Sequence, residues 1–454
     1  MVSAALARLA SRESRRLEDL ARLVAIPGIS SDPAPSPAME SSGAAVAELL
    51  VGNGFEHVEI LRPPGHHPFV YADRLARPGR PTVLLYAHHD VVTPGAPALW
   101  TTPPWTLAVR GGRAYGRGAV DDKGGLVAQV AAVEALLAEG GLPVNVRFLV
   151  DGEEEVSSPA LPGLLTERAD DLRADVVVVL DTANLAAGVP CLTTSLRGIA
   201  SCVVEARALA GPLHSGMWGG AVPDATLALC QILGRCADHR GESLVGPAPE
   251  GPGAELDRLA ALPFDPDGFR RDAGLLPGVE PLETEGAALY ARLWHRPAVA
   301  VTALEAHPLA GASNQVLPRA RARVSLRVAP GQDAAAVLSS LVTLLTRDPP
   351  QGVHVRVEPE VPARPWSVDP SGPVYEAAFS ALAEGFGRPA LRIGCGATIP
   401  VIAPFADAMP GVPILLLGIE DPDSRPHAED ESLCLDDWRG VQRALVHLLV
   451  RLGG

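Results

Sequence analysis

Seven side chains scattered along the sequence are of the kinds that hold metals and move protons: His88, Asp90, Asp121, Glu154, Glu155, Asp181 and His427. Two histidines and three carboxylates suit a pair of zinc ions that share one bridging carboxylate. Two such ions bring four positive charges, which three ligand carboxylates and one hydroxide would balance. A balanced, partly closed site of this kind lowers the pKa of a bound water towards about 7. One further carboxylate must then stay unligated to take the proton. In the adjacent pair Glu154-Glu155, only one can comfortably face the metals while the other faces the water.

The elements around these residues must bring them together. Pro81 to Ala87 is nearly all apolar and reads as a strand buried on both faces of a parallel sheet, running into His88-His89-Asp90. Side chains alternate along a strand, so His88 and Asp90 leave on one face and His89 on the other. Val144 to Val150 reads as a second strand and delivers Asp151-Gly152-Glu153-Glu154-Glu155. A third, 174–181, ends in Asp181, and a fourth, Val412 to Gly418, precedes the loop that carries His427. Ligands in open α/β sheets gather outside the carboxyl ends of the strands. Asp121 sits in Gly116-Arg117-Gly118-Ala119-Val120-Asp121-Asp122-Lys123-Gly124-Gly125, whose glycines allow a tight path into a helix over 126–138. Further helices are expected at 3–25, 38–50 and 438–449. His66 and His67 fall in a Pro/Gly loop, where solvent exposure is the expectation.

Residues 197–364 have another rhythm. Strands at 200–208, 298–306, 320–329 and 353–359 and helices at 222–236 and 334–347 follow the order βαββαβ, interrupted by a Gly-, Pro- and acid-rich stretch at 237–297. That order suits a small sheet with helices on one face. The expected organisation is a catalytic domain from 1–196 and 365–454 with an inserted domain at 197–364.

The length of 454 residues leaves ample room for two domains. A formal charge of −15 makes no basic face for nucleic acid. No apolar run approaches the roughly 20 residues of a membrane helix. The first residues form an amphipathic pattern broken by Arg8, Arg12 and Glu13 rather than a secretory core, so a cytoplasmic location is expected. The six cysteines are scattered without a CxxC and read as buried free thiols. Among 38 basic residues Lys123 is the single lysine, beside Asp121 and Asp122. That points to a task Arg's wider fork cannot do, such as pairing with nearby carboxylates.

The order H-x-D, G-R-G-x-x-D-x-K-G, a Glu-Glu pair, an Asp and a C-terminal His resembles the M20 metallopeptidases, the co-catalytic zinc aminoacylase, carboxypeptidase and dipeptidase family. The likeness covers nearly the full chain. It implies an α/β, phosphorylase/hydrolase-like zinc-peptidase domain with a mostly parallel sheet, and an inserted ferredoxin-like α+β lid and dimerisation domain. By this resemblance His88 and Asp181 bind one zinc, Glu155 and His427 the other, and Asp121 bridges them. Glu154 is then the general base and later the proton donor, and Asp90 orients His88. Glu153 makes the register of the pair ambiguous, and the family form E-G-x-E-E favours 154/155. The family also implies a cis peptide between Asp121 and Asp122.

In the inserted domain Leu213-His214-Ser215-Gly216 resembles the dipeptidase branch's L-H-S-G, whose His reaches across a dimer interface to polarise the scissile carbonyl. Asn314 matches an Asn that also serves the neighbouring site, Arg327 an Arg that grips the substrate carboxylate, and Thr398 stands in for a carboxylate-binding Ser. Three stretches depart from the pattern: Ala87 for Gly, Val156-Ser157-Ser158 for Gly-Ser, and His427-Ala428-Glu429-Asp430-Glu431 for H-s-x-N-E. None removes a ligand. The last is expected to alter the substrate pocket's wall.

The implied activity is hydrolysis of the amide bond in a dipeptide or similar small amino-acid conjugate by a metal-bridged hydroxide in a homodimer. Deacylation of N-acyl amino acids is the alternative with the same site, and a non-catalytic binding homologue the alternative of another class. These ligands suit manganese and cobalt as well as zinc.

Overall fold

Four nearly uniform apolar runs become parallel neighbours in a computed structural model that describes residues 1–246 and 253–454. Asn145–Asp151, Thr82–His88, Val176–Ala183 and Ile414–Glu420 lie side by side in that order. Their register places Leu149, Tyr86, Val179 and Leu416 in one row across the sheet. Strands in such register end together, so His88, Asp151 and Asp181 emerge at one edge. Antiparallel strands flank the four: Phe69–Arg74 and His57–Leu61 on one side, Cys191–Leu196 on the other. The sheet is mixed and mostly parallel, the α/β class expected.

The chain packs as two units. The first contains Met1–Thr194, Asp369–Ile393 and Pro400–Gly454, and the second Ser195–Val368 with Gly394–Ile399. In the first, the helix Lys123–Ala138 is buried on almost every side. Its start is packed so closely that a Cβ on Gly124 would stand 2.3 Å from Ala119 O, and one on Gly125 1.9 Å from Asp122 Oδ1. Only glycine lets the helix begin directly against the Asp121 loop. The C-terminal helix Leu435–Gly453 seals that start, with Trp438 Nε1 donating to Gly124 O at 2.9 Å.

Three local expectations need correction. Residues 3–25 form two helices, Val2–Ser11 and Glu13–Val24, because Arg12 leaves helical geometry at φ −114°. Among the described residues Lys123 pairs with no carboxylate. Its Nζ, fully buried, donates to Leu23 O at 2.9 Å and Ile26 O at 3.0 Å. These are carbonyls at the end of the second helix, which a cation there both satisfies and complements. Burial pulls Lys123 down to about 8. His67 is buried, with Nε2 3.1 Å from Ser30 O and 3.0 Å from Asp32 O, and His66 contacts Glu153. Neither is the solvated loop histidine expected.

The second unit is a four-stranded antiparallel sheet in the order Ala298–Glu305, Arg319–Val328, Gly198–Arg207, His354–Pro359. Helices Ala225–Leu233 and Ala334–Thr346 pack with it in a core that includes Cys202, Val204, Ile232, Val324 and Leu341. This is the ferredoxin-like βαββαβ arrangement. Short helices Pro266–Asp272 and Gly286–Trp294 fall within 237–297. Among the described residues no helix is long and apolar enough to cross a membrane.

Candidate metal centre

His88 ends its strand fully buried. Its Nδ1 lies 3.1 Å from Asp90 O and 3.3 Å from Asp90 Oδ1, so Asp90 fixes the ring. The same carboxylate accepts from Glu154 N at 3.2 Å and Glu155 N at 3.1 Å, tying one strand end to the turn after the next. His89 leaves on the other face, as alternation requires, between Ser42 Oγ and Pro68 O.

Asp121 is the hub. One oxygen lies 2.9 Å from His88 Nε2 and the other 3.0 Å from His427 Nε2. His427 Nε2 is also 3.0 Å from Glu155 Oε2. Two groups have ligand atoms within 4.8 Å of one another: His88, Asp121 and Asp181, and Asp121, Glu155 and His427. Asp121 belongs to both. The Asp121–Asp122 peptide is cis, as expected. A third cluster, Asp421, Cys434 and Asp437, is already engaged: Asp421 takes Arg113 bidentately at 3.1 and 2.9 Å, and Asp437 accepts from Gly188 N at 2.7 Å.

The Glu triplet divides by partner. Glu153 accepts from His67 N at 2.9 Å and lies 3.1 Å from His66 Nδ1, away from the two groups. Glu155 joins the second group, which leaves the buried Glu154 without a place in either.

The donor set is short of positive charge. Burial and then Asp121 push the Asp181 carboxyl up to about 7. Burial, reinforced by Asp181, Glu155 and Asp121, lifts Glu154 well above the usual range against the pull of His88. The carboxylates of Asp121 and Glu155 draw His427 up to about 11. Burial alone would raise Asp121, yet His427 and His88 hold it far below its ordinary value. His88 Nε2 faces Asp121 in no hydrogen-bonding direction and is a buried nitrogen without such a bond. Divalent cations would supply the missing charge and an acceptor for that lone pair, so the residues fit a metal pair.

Three acidic residues took on positioning roles that the sequence did not announce. Glu431, fully buried, accepts from Arg117 Nη1 at 2.6 Å and from main-chain N–H groups of the Asp121 loop. Glu429 and Asp430, read as part of a pocket wall, instead hold Ala96 N at 3.2 Å and Thr101 N at 2.9 Å. The signals available were the run of three acids after Ala428 and, for Glu431, its match to the closing Glu of H-s-x-N-E.

In the second unit the remaining candidates form two pairs. Strand pairing of Leu213 with Val316 and His214 with Gln315, and Ser215 N donating to Asn314 O at 2.8 Å, set His214 beside Asn314. Arg327 Nη1 donates to Thr398 Oγ1 at 3.3 Å, and Thr398 Oγ1 donates to Arg197 O at 2.6 Å. Arg327 has no ion-pair partner among the described residues.

Residues 84–451 match the family described as peptidase family M20/M25/M40. The chain belongs to that family. A family relative, the cysteinylglycine-S-conjugate dipeptidase of Corynebacterium striatum, is 36% identical over 378 residues, 82% of this chain and 81% of that one. The structure of the dipeptidase Dug1p from Saccharomyces cerevisiae superposes with a TM-score of 0.86 at 24% identity, over 100% of this chain and 98% of that one. Human carnosine dipeptidase 1 gives 0.83 at 24% identity, with both chains fully covered. At these identities the two structures establish the fold of the family member described here.

Proposed function

We propose that this chain hydrolyses the peptide bond of dipeptides or similar small amino-acid conjugates. His88 and Asp181 would hold one divalent cation and Glu155 and His427 a second, with Asp121 serving both. The observation that carries this reading is the pair of ligand groups joined at Asp121 with a buried, uncommitted Glu154 beside them. Bound cations supply Lewis acidity, lowering the pKa of a water and polarising the scissile carbonyl.

The protein's own residues do the rest. Glu154 takes the proton from the attacking water and returns it to the leaving amine. A carboxyl lifted by burial is suited to hold a proton between those two moments. Asp90 keeps His88 oriented with Nε2 towards the centre, the usual duty of a carboxylate behind a metal-bound imidazole. Arg327 and Thr398 take the substrate carboxylate, for which a guanidinium fork is well shaped. His214 and Asn314 act in a homodimer, at the site of the second copy, by stabilising the developing oxyanion. The name of the C. striatum relative supports a dipeptide over an N-acyl amino acid. Zinc, manganese and cobalt all suit the ligands.

The test is a panel of dipeptides, N-acetyl and N-succinyl amino acids offered to metal-reconstituted protein. Turnover of dipeptides is expected. Turnover of the N-acyl compounds alone would make the protein a deacylase. No turnover, with less than one metal per chain, would make it a binding homologue.

The charge balance also gives a pH signature. At pH 7 the metal-free His427, drawn to about 11, carries a proton, and Asp181, at about 7, carries one about half of the time. Cations must displace both, and also the proton on His88, which, against the effect of burial, Asp121 and Asp90 raise well above its ordinary value. Loading at pH 7 is therefore expected to release more than one proton per chain, with affinity rising as pH rises. Calorimetry in buffers of different ionisation enthalpy reads this number directly. A heat independent of buffer would contradict it.

A further inference from the structure

Glu431 lies outside both ligand groups, yet it is fully buried and saturated with donors. Besides Arg117 Nη1 at 2.6 Å, it accepts from Gly118 N at 3.0 Å, Val120 N at 3.0 Å and Asp121 N at 3.3 Å. Main-chain N–H groups converging on one anion form a nest, a rigid device for setting backbone direction. Here the nest closes immediately before the shared Asp121. Arg117, equally buried, also donates to Thr93 O at 3.3 Å and Ala428 O at 3.1 Å. Thr93 follows the His88–Asp90 strand end, and Ala428 follows His427. One buried ion pair therefore joins the three segments that meet at Asp121.

The two ligand groups depend on it unequally. His88 and Asp181 stand at the ends of adjacent parallel strands, where the sheet's own hydrogen bonds fix their spacing. His427 has no such support. It sits in a loop at φ +63°, a conformation a β-carbon disfavours, and is held there through the neighbouring Ala428, whose carbonyl accepts from Arg117.

We infer that Glu431, acting with Arg117, is a positioning residue that sets Asp121 against His427 and so governs the second cation far more than the first. This rests on the two-cation reading of the centre. Neither residue belongs to a ligand group. Their effect passes through the backbone of the Asp121 turn and through the loop at Ala428.

The test uses the full chain stripped of metal and titrated with Zn²⁺ against a chromogenic chelator, which reads stoichiometry and both stepwise affinities. Three variants are compared with the wild type, His427→Ala among them. Glu431→Gln removes the charge. Arg117→Gln with Glu431→Gln removes both charges and leaves no unpaired buried guanidinium, so that folding is retained, as a thermal melt would verify. Wild type is expected to take two Zn²⁺. In the double variant the first affinity should stay within about threefold while the second falls about 10- to 100-fold, the usual cost of losing an outer partner of a metal ligand. His427→Ala should reproduce the same one-sided loss. If the double variant keeps both affinities, or loses them in parallel, the positioning role is overturned. If wild type itself binds fewer than two Zn²⁺, the two-cation reading fails and this inference with it.

Discussion

Glu154→Gln is expected to bind its metals like the wild type and to lose turnover by roughly 10²- to 10⁴-fold, the contribution of a well-placed general base. The substitution keeps the shape of the side chain and removes its ability to accept a proton. Retention of metal is expected because Glu154 belongs to neither ligand group, whereas its neighbour Glu155 lies 3.0 Å from His427 Nε2. The fall should appear in kcat, since the proton moves only after substrate is seated. Metal analysis and steady-state kinetics on one preparation separate the possibilities. Loss of a cation in Glu154→Gln would make Glu154 a ligand, and the assignment of the Glu pair would have to be reversed. Glu153 offers no rescue, since His67 N and His66 already occupy its carboxylate.

Asp121→Asn is expected to be the most damaging single change at the centre. Its two oxygens reach separate histidines, so an amide weakens both groups at once. Losing a residue that only supports a ligand costs about 10- to 100-fold in metal affinity or activity, so a ligand shared by two sites should cost more than about 100-fold in each. Ligand binding stabilises the folded state by mass action, about 2.7 kcal/mol for each site at a hundredfold excess over Kd. A zinc-dependent rise in melting temperature should therefore be plain in wild type and nearly absent in Asp121→Asn. His427→Ala is the contrast, keeping His88, Asp121 and Asp181 for one cation and hence part of the shift. A full thermal response in Asp121→Asn would remove it from the centre.

The parallel core was legible because its strands are continuous apolar runs, each ending in a residue that stands out against them. His88 and Asp181 could be placed on one sheet edge from that alone. The antiparallel strands His57–Leu61 and Phe69–Arg74 leave little trace in the sequence. His57-Val58-Glu59-Ile60-Leu61 is too short and polar to announce itself, and a Pro/Gly loop separates it from its partner strand. With those strands unseen, His66 and His67 looked solvated, although the sheet carries them to Glu153. Lys123 stands out by its rarity, but its partners are carbonyls far away in sequence, and main-chain acceptors leave no mark in residue types. Glu431 was hidden for a similar reason: most of its donors are backbone N–H groups, which every residue but proline possesses. Side chains that bond to side chains can be guessed from composition. Those that bond to backbone emerge only when the chain is folded.

The burial of Lys123 has a practical corollary. It is the chain's single lysine, and its Nζ is enclosed and bonded to Leu23 O and Ile26 O. The folded protein thus presents no side-chain amine to its surroundings. Succinimidyl esters and other amine-directed crosslinkers should find no lysine to react with until the helix ending at Val24 comes away, so modification at Lys123 would report on local opening there rather than on assembly.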